Sequence, residues 1–170
     1  MKERYIETGK IVGTHGIKGE IRVQAWCDSP EFLTNFKTLY LDKSGTAVKV
    51  KSSRVHKNVV LMKLHQIDTI EQAEAMRGKI LYLDRADIQL DEGVYLQCDL
   101  IGCEVYDVAT GVLLGKITDV SQTGANDVWH ITKDNKEYFI PSIPDVVISV
   151  NLDENKVEIR PLKGIFDDED

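Results

Sequence analysis

The chain of 170 residues has only three cysteines, Cys27, Cys98 and Cys103, an odd number with no C-x-x-C pair. That number and spacing fit reduced thiols packed in a core better than a disulfide framework or a zinc site. No apolar run approaches the roughly 18 residues of a membrane helix, and the opening MKERYIETG lacks the apolar stretch of a secretory signal. A cytoplasmic protein with no membrane partner is expected. Catalytic patterns are equally scarce. The four histidines, His15, His56, His65 and His130, show no H-x-x-x-H or H-E-x-x-H spacing. No serine sits in G-x-S-x-G, and no base neighbours the cysteines in sequence. No enzyme activity, cofactor, metal or small-molecule substrate is expected.

With 42% hydrophobic and 29% charged residues, the composition is that of a globular protein and not of a disordered or fibrous one. The net charge of -7 is unevenly spread. Residues 1–90 carry 15 Lys+Arg against 11 Asp+Glu, a net +4, whereas residues 91–170 carry 6 against 17, a net -11. A basic half joined to an acidic half suits partners of opposite charge.

Short runs rich in Val, Ile and Tyr alternate with Gly, Asn and Asp throughout, the pattern of an all-β protein with a few short helices. YIETGKIV, EIRVQAW, TLYL, AVKVKSSRVH, VVLMKL and KILYL predict six strands in the first half. In AVKVKSSRVH, Val48, Val50 and Ser52 alternate with Lys49, Lys51 and Ser53, so the first three are expected inside. Ser29 and Pro30 open one short helix; Asp68 or Thr69 caps another that Gly78 ends. CEVYDV, LLGKITDVSQ, DVWHI, EYFIP, VVISVN and KVEIRP predict a second set of strands. Alternation puts Trp129 and Phe139 in its core, with an apolar partner contact as their other reading, and His130 as a packed or solvated strand residue. Thr110 and Gly111, Gly124 and Asn126, and Asp134 and Asn135 supply its turns. The polar stretch 85–97 marks a boundary between two small β domains.

The segment GKIVGTHGIKGEIRV, residues 9–23, has three glycines, but they are spaced G-x-x-G-x-x-G and a strand follows. Neither a P-loop nor a dinucleotide fingerprint has that spacing or that continuation. Gly13, Gly16 and Gly19 instead read as positive-φ positions of a β connection. Such a connection presents His15 and Lys18.

This segment resembles the opening signature of the RimM family of bacterial ribosome maturation factors. AEAMRGKILYL resembles the end of the family's N-terminal domain. DLIGCEVYD, LLGKITDV, TGANDVW, EYFIPSIPDVVISVN and KVEIRPLKGI resemble its PRC-barrel domain, in order and spacing. The resemblance implies two small β-barrels: a six-stranded, translation-factor-like barrel over residues 1–88 and a PRC barrel over 96–165. Residues 89–95 would link them, and 166–170 would be a disordered acidic tail. It also implies a non-enzymatic, monomeric assembly factor that binds the head of the immature small ribosomal subunit. The implied partners are ribosomal protein S-nineteen and the 3′ domain of the small-subunit rRNA. The alternative is a PRC-barrel adaptor for RNA or protein that does not act on ribosomes.

In the basic half, His15, Lys18, Arg22, Lys49, Lys51, Arg54 and Lys57 are the candidate RNA contacts, with lysine serving as a phosphate point charge. In the acidic half the candidates for the ribosomal protein are Tyr95, Pro141, Ile143 and Pro144. The family often has two adjacent tyrosines before its PRC barrel, where this chain has Val94 and Tyr95. Tyr95 is therefore either a partner contact or an aromatic packed between the barrels.

Overall fold

The computed structural model describes residues 3–122 and 126–162, with the backbone alone at Gln122. The expected turn at Gly124 and the expected acidic tail lie outside the described residues. The chain divides into two compact units, Glu3–Leu90 and the residues from Asp91 onward.

The first unit is a closed six-stranded barrel. Its strands are β1 (Tyr5–His15), β2 (Glu20–Ala25), β3 (Thr38–Tyr40), β4 (Ala47–His56), β5 (Val59–Leu64) and β6 (Ile80–Asp84). They pair in the order β1-β2-β5-β4-β3-β6, and β6 closes the ring onto β1. Ile11, Ile21, Val23, Leu39, Val60, Met62, Leu64, Leu81 and Leu83 fill the interior. Each contributes roughly 1.5–3 kcal/mol on burial. Helix α1 (Pro30–Leu33) is capped by the Ser29 hydroxyl, which accepts from the Phe32 N–H at 3.3 Å. Helix α2 (Ile70–Ala75) has Thr69 as its cap in a reciprocal capping box with Gln72. After it the chain turns at Gly78, φ +89°, whose N–H donates to the Ile11 carbonyl.

Two local expectations for this unit fail. The register of β4 against β5 shifts between Val50 and Ser52. This bulge reverses the alternation, so Ser52 is exposed while Ser53 and Val55 turn partly inward. Gly13 does not have a positive φ, although Gly16 and Gly19 do. It lies in β1 opposite Arg22, and a Cβ there would meet Arg22 Nη2 at 2.7 Å. Its lack of a side chain makes room for a guanidinium.

The second unit holds α3 (Gln97–Leu100), β7 (Glu104–Asp107), β8 (Leu113–Gln122), β9 (Asp127–Lys133), β10 (Lys136–Pro141), β11 (Val147–Asn151) and β12 (Lys156–Ile159). These strands form one six-stranded sheet in the order β10-β9-β8-β7-β12-β11. All neighbours are antiparallel except β12 and β7, which run parallel. Inner side chains of five strands share one core with Leu100, Cys103 and Val146: Val105, Ile117, Val120, Trp129, Ile131, Ile140, Val157 and Ile159. Asp134 and Asn135, both at positive φ, make the tight β9–β10 turn, and Gly111, φ +75°, donates its N–H to the Asp107 carbonyl.

Trp129 is in this core, but Phe139 is not. β10 pairs Ile140 with Trp129 on the inner face and Phe139 with His130 on the outer, leaving Phe139 50% exposed. Of the cysteines, Cys27 and Cys103 are buried, whereas Cys98, in the single turn of α3, is exposed.

Candidate functional site

The barrel of the first unit gathers most of its predicted cations on one outward surface. His15 ends β1 and His56 ends β4, yet their rings lie 5.9 Å apart. Beside them Arg54 Nη1 donates to Glu20 Oε2 at 2.8 Å, and Glu20 is the register partner of His15. Arg22 lies over Gly13 and shares a cross-strand row with Leu61 and Arg54. Leu61 is only 1% exposed.

Lys18 sits exposed in the β1–β2 turn. That turn rests on the loop after β5, because a Cβ on Gly19 would strike the backbone of Ile67 and Asp68. From the end of β5, Lys63 donates to the Ile67 carbonyl of that loop and pairs with Asp68 at 2.8 Å. The Lys63 hydrogen bond, helped by the charges of Lys51 and His65, holds the Asp68 carboxyl below its ordinary value. Lys49 reaches across to β3, donating to Thr38 Oγ1. Lys57 occupies the β4–β5 turn at positive φ. His15, Arg22 and Arg54 thus form one group with His56, and Lys18 and Lys51 stand about the Asp68 loop. The surface can receive phosphates from several directions and offers imidazoles as donors.

In the second unit Tyr95, Ile143 and Pro144 come together. They line a groove of about 550 Å³ with Glu92, Gly93, Val94, Ser142 and Val147. Tyr95 and Ile143 also pack against the core. Tyr95 lines a second depression as well, of about 700 Å³, whose walls include Asp153, Glu154, Glu158 and Lys156. Tyr95 therefore stands where an apolar groove meets an acidic one, and strand β11 lines both. Pro141 is separate: it ends β10, paired with Val128.

Ile17 and Trp26 went unremarked in the sequence, and Phe139 and His130, expected as a core residue and a strand residue, form an outer cluster of their own. Ile17, 75% exposed, tips the β1–β2 turn, and Trp26, 43% exposed, follows β2. Phe139 meets His130 edge-on at 4.8 Å. His130 Nε2 and Ser121 Oγ are 2.5 Å apart, and His130 Nδ1 is 3.5 Å from Glu137. This cluster lies across three strands on the outer face of a sheet. For Ile17 the signal was present, an apolar residue between turn glycines. For His56 there was none, because its meeting with His15 depends on strand pairing across the barrel.

Comparison with known proteins divides the chain as the fold does. Residues 6–88 match the RimM N-terminal domain and residues 97–165 the RimM PRC barrel domain. The chain belongs to the RimM family of ribosome maturation factors. The ribosome maturation factor RimM of Lactobacillus gasseri is 40% identical over 169 residues, 96% of this chain and 98% of that one. The RimM of Ruminiclostridium cellulolyticum is 35% identical over 167 residues, with the same coverage of both chains. A crystal structure of RimM from Pseudomonas aeruginosa, a 16S ribosomal RNA processing protein, aligns over 91% of this chain and 96% of its own. Its identity is 27% and its TM-score 0.47. Among the described residues no helix is long and apolar enough to cross a membrane, and no group of three or more His, Cys, Asp or Glu is placed to hold a metal.

Proposed function

We propose that this RimM-family protein is a non-catalytic assembly factor for the small ribosomal subunit, binding the immature particle at its head. The N-terminal barrel takes the 3′ domain of the rRNA on the surface carrying His15, Lys18, Arg22, Lys51 and Arg54. The C-terminal unit takes ribosomal protein S-nineteen in the grooves that meet at Tyr95. The observation that carries this reading is the convergence of Tyr95, Ile143 and Pro144 in one groove beside Asp153, Glu154 and Glu158. An apolar anchor beside carboxylates suits a basic protein, since the charges steer encounter and the apolar centre sets the lifetime. The barrel surface suits the other partner, because lysine and arginine position a phosphate backbone without reading its sequence.

Sedimentation tests the proposal. The protein should travel with immature small subunits and not with mature ones, and cells lacking it should accumulate unprocessed small-subunit rRNA. A deletion strain with normal precursor levels and a normal subunit profile would refute it.

A further inference from the structure

Ile17 is three-quarters exposed at the tip of the β1–β2 turn, between Gly16 at φ +67° and Gly19 at φ +91°. The turn has little freedom. Gly19 is pressed on the backbone of Ile67 and Asp68, and Lys63 ties that loop down through both the Ile67 carbonyl and the Asp68 carboxylate. A β-branched apolar side chain is therefore held out in water by a fixed support, next to Lys18. The nearby carboxylates are paired, Glu20 with Arg54 and Asp68 with Lys63, while Lys18 and Lys51 are exposed. A partner matched to this tip offers negative charge and a flat apolar face within one side-chain length of each other. Paired duplex RNA supplies the charge but hides its base faces in the stack. An unpaired nucleotide supplies both.

We propose that Ile17 is a wedge that packs on the face of an unpaired base while Lys18 holds an adjacent phosphate, so that the turn selects unpaired over duplex RNA. This rests on the reading that the N-terminal barrel faces rRNA, and it adds the nucleotide conformation that the barrel prefers. Apolar wedges at unstacked base steps are a known device of nucleic-acid binding.

The test uses the full chain and two RNA hairpins of equal length, one fully paired and one with a single-nucleotide bulge carrying 2-aminopurine. Wild type should bind the bulged hairpin more tightly and change its fluorescence. Ile17→Ala should weaken bulge binding about fivefold, as expected from losing roughly 40 Å² of apolar contact, and leave duplex binding unchanged. Ile17→Leu should restore the preference. Lys18→Ala should weaken both hairpins alike and reduce the salt slope by about one. Equal binding of the bulged hairpin by wild type and Ile17→Ala, with unaltered fluorescence, would overturn the wedge and leave rRNA binding standing. Failure of wild type to bind either hairpin would overturn both.

Discussion

Replacing Gly19 with alanine imposes two costs on the fold at once. Its φ of +91° puts an L-residue in a left-handed conformation, which costs about 1–2 kcal/mol. The new Cβ would also lie 2.9 Å from the Ile67 carbonyl carbon and 3.0 Å from that of Asp68, closer still to the Ile67 oxygen. Those atoms are backbone and cannot swing away, and overpacking of this kind costs about 1–3 kcal/mol. Together the terms reach about 2–5 kcal/mol, a large share of the 5–15 kcal/mol typical of a domain. Gly13→Ala is the control within the same hairpin. Its Cβ would press first on the guanidinium of Arg22, at 2.7–3.3 Å, and a flexible side chain can move. Its cost should be under about 1 kcal/mol, while the displaced Arg22 weakens RNA binding. Urea unfolding of the full chain measures the first quantity, and RNA titration of the folded variants the second. If Gly19→Ala fell within about 0.5 kcal/mol of wild type, or if Gly13→Ala cost as much as Gly19→Ala, the turn would not be pinned as described.

Tyr95→Ala should raise the off-rate of S-nineteen, by about tenfold if it is the anchor. Neutralising Asp153, Glu154 and Glu158 should chiefly lower the on-rate at low salt, and surface plasmon resonance across ionic strengths separates the two effects. The Arg4 guanidinium, which donates to both oxygens of buried Asp84, and next the Ala86 N–H hold that carboxyl below its ordinary value. Because the folded pKa is depressed, this stabilisation is complete above the unfolded value of about 4 and is lost as pH falls through the folded one. Asp84→Asn should therefore lower stability at pH 7 and flatten the acid limb of a stability–pH curve. An unchanged limb would mean the pair contributes nothing. Finally, limited proteolysis should cut within residues 85–97 and release two fragments that each unfold cooperatively; resistance to cleavage there would argue against independent units.

Local chemistry was readable wherever a few neighbouring residues decide the outcome. Ser29 before Pro30 specified a helix start, Asp68 or Thr69 a second cap that falls on Thr69, and Asp134-Asn135 a tight hairpin, because each is a contact among residues four or fewer apart. The run of short alternating strands was enough for two all-β units, since a period of two reports which residues share a face. It could not say which face is buried. Phe139 and Trp129 are both aromatic strand residues, and only the pairing of β10 with β9 sends one outward and the other inward. Nor could it foresee the β4 bulge, which costs one residue of register and reverses every side chain beyond it. The candidate surfaces depend on tertiary structure more heavily still. His15 meets His56 across 41 positions, and Tyr95 meets Ile143 across 48, through strand order that no local window encodes. The sequence alone determined the strands, the tight turns at Gly111 and Asp134-Asn135, and the division of charge between the two halves. Long-range pairing decided which of those charges and rings stand together, because closing a sheet brings distant strands side by side.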